Sequence, residues 1–148
     1  MNIYVDADAC PNVIKEILFK NAQRYHVNTT FVANQAIFTP RSAYIRCKRV
    51  SRGFDEADNW IVAECLPGDL IISQDIPLAA DAIKKGAIVI SPRGVLFTED
   101  NIHQRLSMRN FMEELRSSGE NIGGPSALNQ ADRRNFANQL DRLMNQKP

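Results

Sequence analysis

The sequence predicts an α/β protein with a mostly parallel sheet. Three observations carry this: strand-like and helix-like segments alternate from the first residues onward, Pro and Gly fall at several of the junctions, and the pattern turns helical after Phe97. Strands joined through helices in that order favour parallel pairing with right-handed crossovers.

Ile3 to Val5 opens the chain as a strand. Val13, Ile14, Ile17, Leu18, Ala22 and Tyr25 then recur at helical spacing, and Pro11 suits the first turn, where its missing N–H costs nothing. Val27 to Ala33, β-branched and aromatic, reads as a second strand, and Asn34 to Tyr44 as a loop. Ile45 to Val50 alternates apolar and basic residues like a third strand nearer an edge. Ala57, Ile61, Val62 and Cys65 mark a helix over Asp55 to Cys65, which Pro67-Gly68 stops before the short buried strand Leu70-Ile71-Ile72. Pro77 to Lys85 predicts another helix, closed by Gly86, then a strand from Ala87 to Ile90 and a turn at Pro92-Arg93-Gly94. Thr98 can cap a helix carrying Ile102, Leu106, Phe111, Met112 and Leu115, which Gly119 to Pro125 breaks. Phe136, Leu140, Leu143 and Met144 belong to a last helix, whose apolar stripe packs on the sheet or on another subunit.

At 148 residues the chain suits one domain, 1–148, divisible into a βα core over 1–97 and a helical C-terminal extension over 98–148. A composition of 44% hydrophobic and 24% charged residues argues against a disordered or fibrous class. Every apolar run ends well short of the roughly 18 residues a membrane span needs, and the N-terminus does not read as a signal peptide. The expected location is the cytoplasm. Cys10, Cys47 and Cys65 form no CxxC pair, so they are expected to be reduced thiols. A net charge of +1 does not announce a nucleic-acid binder, yet Arg41 to Arg52 holds five basic residues and no acidic one.

The candidate chemistry lies in the aspartates. Ligands of an open parallel sheet sit beyond the C-terminal strand ends. Asp6 and Asp8 follow the first strand, Asp75 follows the strand at 70–72, and Asp55 and Asp58 share one side of a helical first turn. Taken singly, each has a bland role as a cap, a dipole partner or a turn residue. Taken together they would repel, by roughly 4 kcal/mol for a pair about 4 Å apart at an effective dielectric of 20, and a cation would relieve this. Oxygen donors without a His or Cys cluster suit one or two Mg²⁺ or Mn²⁺ ions, with Asp6, Asp8, Asp55, Asp58 and Asp75 as candidate ligands. His26 and His103 supply no evident general base, and Cys10 and Trp60 read best as packing residues.

The segments Asp6-Ala7-Asp8-Ala9-Cys10-Pro11, Arg52-Gly53-Phe54-Asp55-Glu56-Ala57-Asp58, Gly68 to Ala79 and Pro92-Arg93-Gly94 closely resemble the YaiI/YqxD family of bacterial proteins, from Met1 to about Arg109. More distantly, an Asp after the first strand, an Asp-bearing helix start and a strand ending in Ser73-Gln74-Asp75 resemble PIN-like metal-dependent ribonucleases. That resemblance implies a PIN-like three-layer fold with helices on both sheet faces. It also implies Asp6, Asp58 and Asp75 as catalytic residues, and single-stranded or structured RNA as the partner. Arg46, Lys48, Arg49, Arg52 and Arg93 would then hold phosphates, although a basic strand is as readily an ordinary solvated face.

Two rival readings stay open. Residues 17 to 54 hold no Asp or Glu, where PIN nucleases usually place another acid, which keeps a non-catalytic RNA- or protein-binding module in view. Val5-Asp6-Ala7-Asp8 also resembles the start of haloacid-dehalogenase-type phosphatases, but Ser91-Pro92-Arg93-Gly94 supplies no acidic pair to complete that site. A homo-oligomer is compatible with the sequence and not specified by it.

Overall fold

A computed structural model describes residues 1–53, 55–117 and 128–146, excluding the side chains of 109–117. The expected break at Gly119 to Pro125 and the side chains of Phe111, Met112 and Leu115 lie outside the described residues, as does Phe54. The strands are β1 (Ile3–Asp6), β2 (Thr29–Ala33), β3 (Ile45–Arg49), β4 (Leu70–Ile72), β5 (Ile88–Ile90) and β6 (Leu96–Phe97). The helices are α1 (Asn12–Tyr25), α2 (Glu56–Glu64), α3 (Ile76–Lys84), α4 (Glu99–Ser117) and α5 (Gln130–Asn145), with a 3₁₀ turn over Ala7–Ala9.

The described strands form a mixed sheet in the order β3-β2-β1-β4-β5-β6. The first five run parallel, with Ile3 level with both Thr29 and Leu70, and β6 alone runs antiparallel, pairing Val89 with Phe97. The sequence reading placed no strand at Leu96-Phe97, because two residues are too few to display a period. What makes the strand is the turn before it. The Gly94 N–H donates to the Ser91 carbonyl (2.9 Å), the Ser91 N–H to that of Val95 (2.9 Å), and Ser91 Oγ accepts from the Arg93 and Val95 amides (3.2 Å each). The chain is folded straight back onto β5.

Side chains alternate across the sheet, as the pleat requires. Ile3, Val5, Phe31, Leu70, Ile72 and Ile90 face α1 and α5, whose Ile14, Leu18, Phe136 and Leu140 are buried against them. Tyr4, Val32, Ile71 and Val89 face α2, α3 and the start of α4, meeting Ile61, Leu78, Ile83 and Ile102. Strands covered on both faces read as continuous apolar runs, which is why Leu70-Ile71-Ile72 was legible at only three residues. β3 lies at one edge of the sheet, and beyond Ile45 its side chains are exposed.

Element ends differ slightly from the sequence reading. Pro11 is the N-cap of α1 rather than part of its first turn. The α5 N-terminus carries a reciprocal box, Asn129 Oδ1 accepting from the Asp132 N–H (2.9 Å) and Asp132 Oδ2 from the Asn129 N–H (3.1 Å). No helix among the described residues is long and apolar enough to cross a membrane.

Candidate functional site

β1 is the point where the sheet's winding reverses: β2 lies on one side of it and β4 on the other. The crevice at the C-terminal ends of β1 and β4 is thus a topological switch point, where loops diverge and helix N-termini converge. Asp6 ends β1, Asp75 follows β4 as the N-cap of α3, and Asp58 lies in the first turn of α2.

Each of the three is held differently. Asp6 Oδ2 accepts from Ser73 Oγ (3.2 Å), and the same Ser73 oxygen accepts from the Asp75 N–H (3.0 Å), so one buried hydroxyl ties the ends of β1 and β4 together. Asp75 Oδ1 accepts from the Leu78 N–H (3.0 Å), spending one oxygen on the α3 cap. The Asp58 carboxyl comes within hydrogen-bond reach of Asp75.

Electrostatics show how close these groups are. Burial raises Asp6 above the usual carboxylate range, the Ser73 hydroxyl opposes that, and the charges of Asp75 and Asp8 add to it. Asp58 is pushed up to about 7, first by burial and then by the charges of Asp75 and Asp6, its hydrogen bond to Asp75, and Asp55. None of the described Lys or Arg side chains forms an ion pair with Asp6, Asp58 or Asp75; the pair recorded among described residues is Arg93–Asp132. Carboxyl groups are packed together with no ion-paired Lys or Arg among the described residues.

A cleft of about 460 Å³ opens between α2 and α3, walled by Asp55, Asp58, Asn59, Asp75, Leu78 and Asp81 among others. Asp55, a candidate ligand whose bland alternative was a helix cap, does occupy the N-cap position of α2, but at φ 62 in the left-handed region its side chain makes no cap hydrogen bond, and it lines the cleft. Asp8 departs from the group: its carboxylate accepts from the Asn34 N–H (2.8 Å), fastening the loop after β2. Asp69 shows what a purely structural aspartate looks like in this chain. It is buried at the opposite end of β4 and accepts from the Asn2 and Leu66 amides (2.9 Å each).

Among the candidate phosphate binders, Arg46, Lys48, Arg49 and Arg52 are exposed on or beyond β3, and Lys48 Nζ sits 5.8 Å from the Trp60 ring centroid. Arg93 is engaged elsewhere. Its guanidinium pairs with Asp132 of the α5 capping box at 2.5 Å, so it clasps a helix, and any phosphate would compete with that carboxylate. The sequence reading missed Ser73 as the residue that orients Asp6 and Asp81 as a wall of the cleft. Asp81 gave no signal because, in sequence, it is one exposed position of a helix.

The donor chemistry suits a hard divalent cation: carboxylate oxygens, with no Lys or Arg ion-paired to them among the described residues. Among the described residues no three Asp, Glu, His or Cys side chains already stand in ligating positions around one point.

Comparison with known proteins gives a consistent picture. A family model described as uncharacterized BCR, YaiI/YqxD family, matches residues 4–146. A UPF0178 protein of Hahella chejuensis is 58% identical over 144 residues, covering 97% of this chain and 96% of the relative. One from Bordetella petrii is 60% identical over 144 residues, covering 97% and 96%, and one from Dechloromonas aromatica 55% over 148 residues, covering 100% and 99%. No solved structure matches the chain.

Proposed function

The chain belongs to the YaiI/YqxD family of uncharacterised bacterial proteins, and from that premise we propose that it is a Mg²⁺- or Mn²⁺-dependent ribonuclease of PIN-like fold, hydrolysing RNA phosphodiester bonds at Asp6, Asp58 and Asp75. The observation that carries this reading is the meeting of three carboxylates from β1, α2 and the β4–α3 junction at the sheet's switch point, with no described basic side chain paired to them.

In this reading Asp6, Asp58 and Asp75 hold the ion, and Asp55 and Asp81 stand at the cleft wall beside it. An ion held there would supply Lewis acidity toward a phosphate and lower the pKa of a bound water. Ser73 orients Asp6 beside the start of α3 through the hydroxyl that also accepts from the Asp75 N–H. Asp58, pushed up to about 7, would have to be ionised to hold the ion, so ion affinity is expected to rise with pH across the region of its titration. Exposed Arg46, Lys48, Arg49 and Arg52 supply the positive field for the RNA backbone.

The deciding experiment is cleavage of single-stranded RNA in Mn²⁺ by wild type and Asp75→Asn. Asn also caps helices well, so the variant should fold and lose cleavage; equal cleavage by both would end the proposal. A second reading, a binding module without catalysis, is favoured by one observation: Asp58 is engaged with Asp75 and the acids are not splayed around a point. RNA binding with no cleavage in either ion would select it.

A further inference from the structure

α2 stands between two cavities. At helical spacing, Asp55, Asp58 and Val62 line the acidic crevice, while Glu56, Asn59 and Trp60 line a second cavity of about 420 Å³ on the β3 side. Asn59 borders both, so the two spaces are separated by one helix, roughly 10–12 Å across with its side chains. The wall facing α2 is the end of β3 and the chain just beyond it: Lys48, Arg49 and Ser51.

The residues of this second cavity carry the opposite charge to those of the crevice. Lys48 and Arg49 are exposed there, and neither is ion-paired among the described residues. The one acidic residue, Glu56, lies against Gly53, its Oε1 3.3 Å from where a β-carbon on that glycine would stand. Two cations therefore face one carboxylate, with the Ser51 hydroxyl and the Asn59 amide as neutral donors beside them. That donor set is the chemistry that holds a phosphate. Lys48 is also partly ordered in advance. Its Nζ stands 5.8 Å from the Trp60 ring centroid, and Tyr4 braces that ring in an edge-on contact with centroids 5.9 Å apart. A lysine held against a fixed aromatic face loses less freedom on binding than one free on a strand edge.

We propose that this cavity is a backbone subsite, in which a neighbouring phosphate of the RNA strand is gripped across α2 from the carboxylates, setting which phosphodiester lies over Asp6, Asp58 and Asp75. Lys48 and Arg49 take the phosphate charge, Ser51 and Asn59 its remaining oxygens, and Trp60 is the positioning residue for Lys48. This rests on the ribonuclease reading of the crevice and narrows the positive field along β3 to one located contact. Arg46 marks the difference: the pleat puts it on the same sheet face as Lys48, two residues back, but it does not line the cavity.

Trp60 is the chain's single tryptophan, so its emission reports on this cavity. The test is titration in EDTA at low salt, where cleavage is suppressed, with an oligoadenylate and an abasic ribose-phosphate oligomer of equal length, reading Trp60 emission and the anisotropy of fluorescein-labelled copies. Wild type is expected to bind both oligomers alike and to change its emission in step with binding. Lys48→Gln should weaken binding roughly 10-fold, and Arg46→Gln, the same loss of charge outside the cavity, at most about 3-fold. Both positions are exposed, so melting temperatures stay near wild type. Trp60→Leu should weaken binding in the wild-type background and have no further effect in Lys48→Gln, whereas Trp60→Phe keeps a ring face and retains affinity. Equal losses in Lys48→Gln and Arg46→Gln would overturn the subsite and leave the crevice reading standing, as would binding that leaves Trp60 emission unchanged. A marked preference for oligoadenylate would put a base on Trp60 and overturn the phosphate assignment. Failure of wild type to bind either oligomer would remove both the subsite and the ribonuclease reading. Binding through Lys48 without cleavage in Mn²⁺ supports the subsite and removes only the catalytic step.

Discussion

Asp58 is the residue where burial and like charge meet, and its effect on stability has a definite sign. An ordinary Asp loses its proton near 3.9, whereas Asp58 in the folded chain holds it to about 7. Between those values the folded state binds a proton that the unfolded state has released, so metal-free stability falls as pH rises through that window and levels off above it. In EDTA, Asp58→Asn should flatten the melting temperature between about pH 4 and pH 7 and exceed wild type above it. An unchanged pH slope in the variant would place the proton on another group. At pH 8, Mn²⁺ should raise the melting temperature of wild type and have little effect on Asp58→Asn, since an ion stabilises only the state that binds it. Cysteines differ by burial in the same way. Cys10 is buried and pushed up to about 12, Cys65 is also raised by burial, and Cys47 is exposed on β3. A thiol reagent should give one adduct on the native protein, at Cys47, and three after denaturation, read by intact mass. The aspartates were legible as candidates from residue type and position. Ser73 was not recognised as the residue orienting Asp6, because a serine before a helix start is common and only its distance to Asp6 reveals the role.

At the scale of elements, the segment Pro92-Arg93-Gly94 changed meaning. In sequence it adjoined the proposed site and offered a cation; in the fold it reverses the chain into β6 and carries α5. A side chain on Gly94, at φ 86, would stand 2.6 Å from the Asn135 carbonyl carbon and the Phe136 nitrogen, so the turn and the helix backbone touch. Gly94→Ala should therefore cost about 2–4 kcal/mol, the sum of a left-handed alanine and an overpacked contact, seen as a lower denaturant midpoint. Arg93 adds an ion pair to the α5 capping box across 39 positions of sequence. The end of α2 is closed similarly, with Lys85 Nζ donating to the Val62 (2.6 Å) and Ala63 (3.3 Å) carbonyls. Neither tether was visible in the sequence, where Lys85 read only as the end of its own helix. The β2 and β3 assignments did follow from the residues, since β-branched runs and apolar–basic alternation are local properties.

Across the whole molecule, charge is segregated although the net is only +1: the β2–β3 half is cationic and the β1–β4 crevice anionic. If RNA lies along the cationic half, its affinity in EDTA should fall with salt by a slope of about −0.7 in log–log terms per phosphate engaged. Replacing Arg46, Lys48 and Arg49 together by Gln should reduce that slope while leaving the melting temperature near wild type, since all three are exposed. A wild-type affinity indifferent to salt would return the basic strand to an ordinary solvated face. The sequence by itself determined the α/β alternation, the parallel bias, most of the core-facing positions and the oxygen-only character of the candidate site. Each of these is set by local periodicity or residue chemistry within a few positions of the chain. Only the tertiary structure decided which aspartates meet. Asp6 and Asp75 are brought together because β4 pairs with β1, and Asp58 joins them because α2 packs over the same strands. Asp8 is drawn to Asn34, and Arg93 to Asp132, by the same long-range packing. Strand order is fixed by burying both faces of the sheet at once, a condition on the whole chain that no single segment contains.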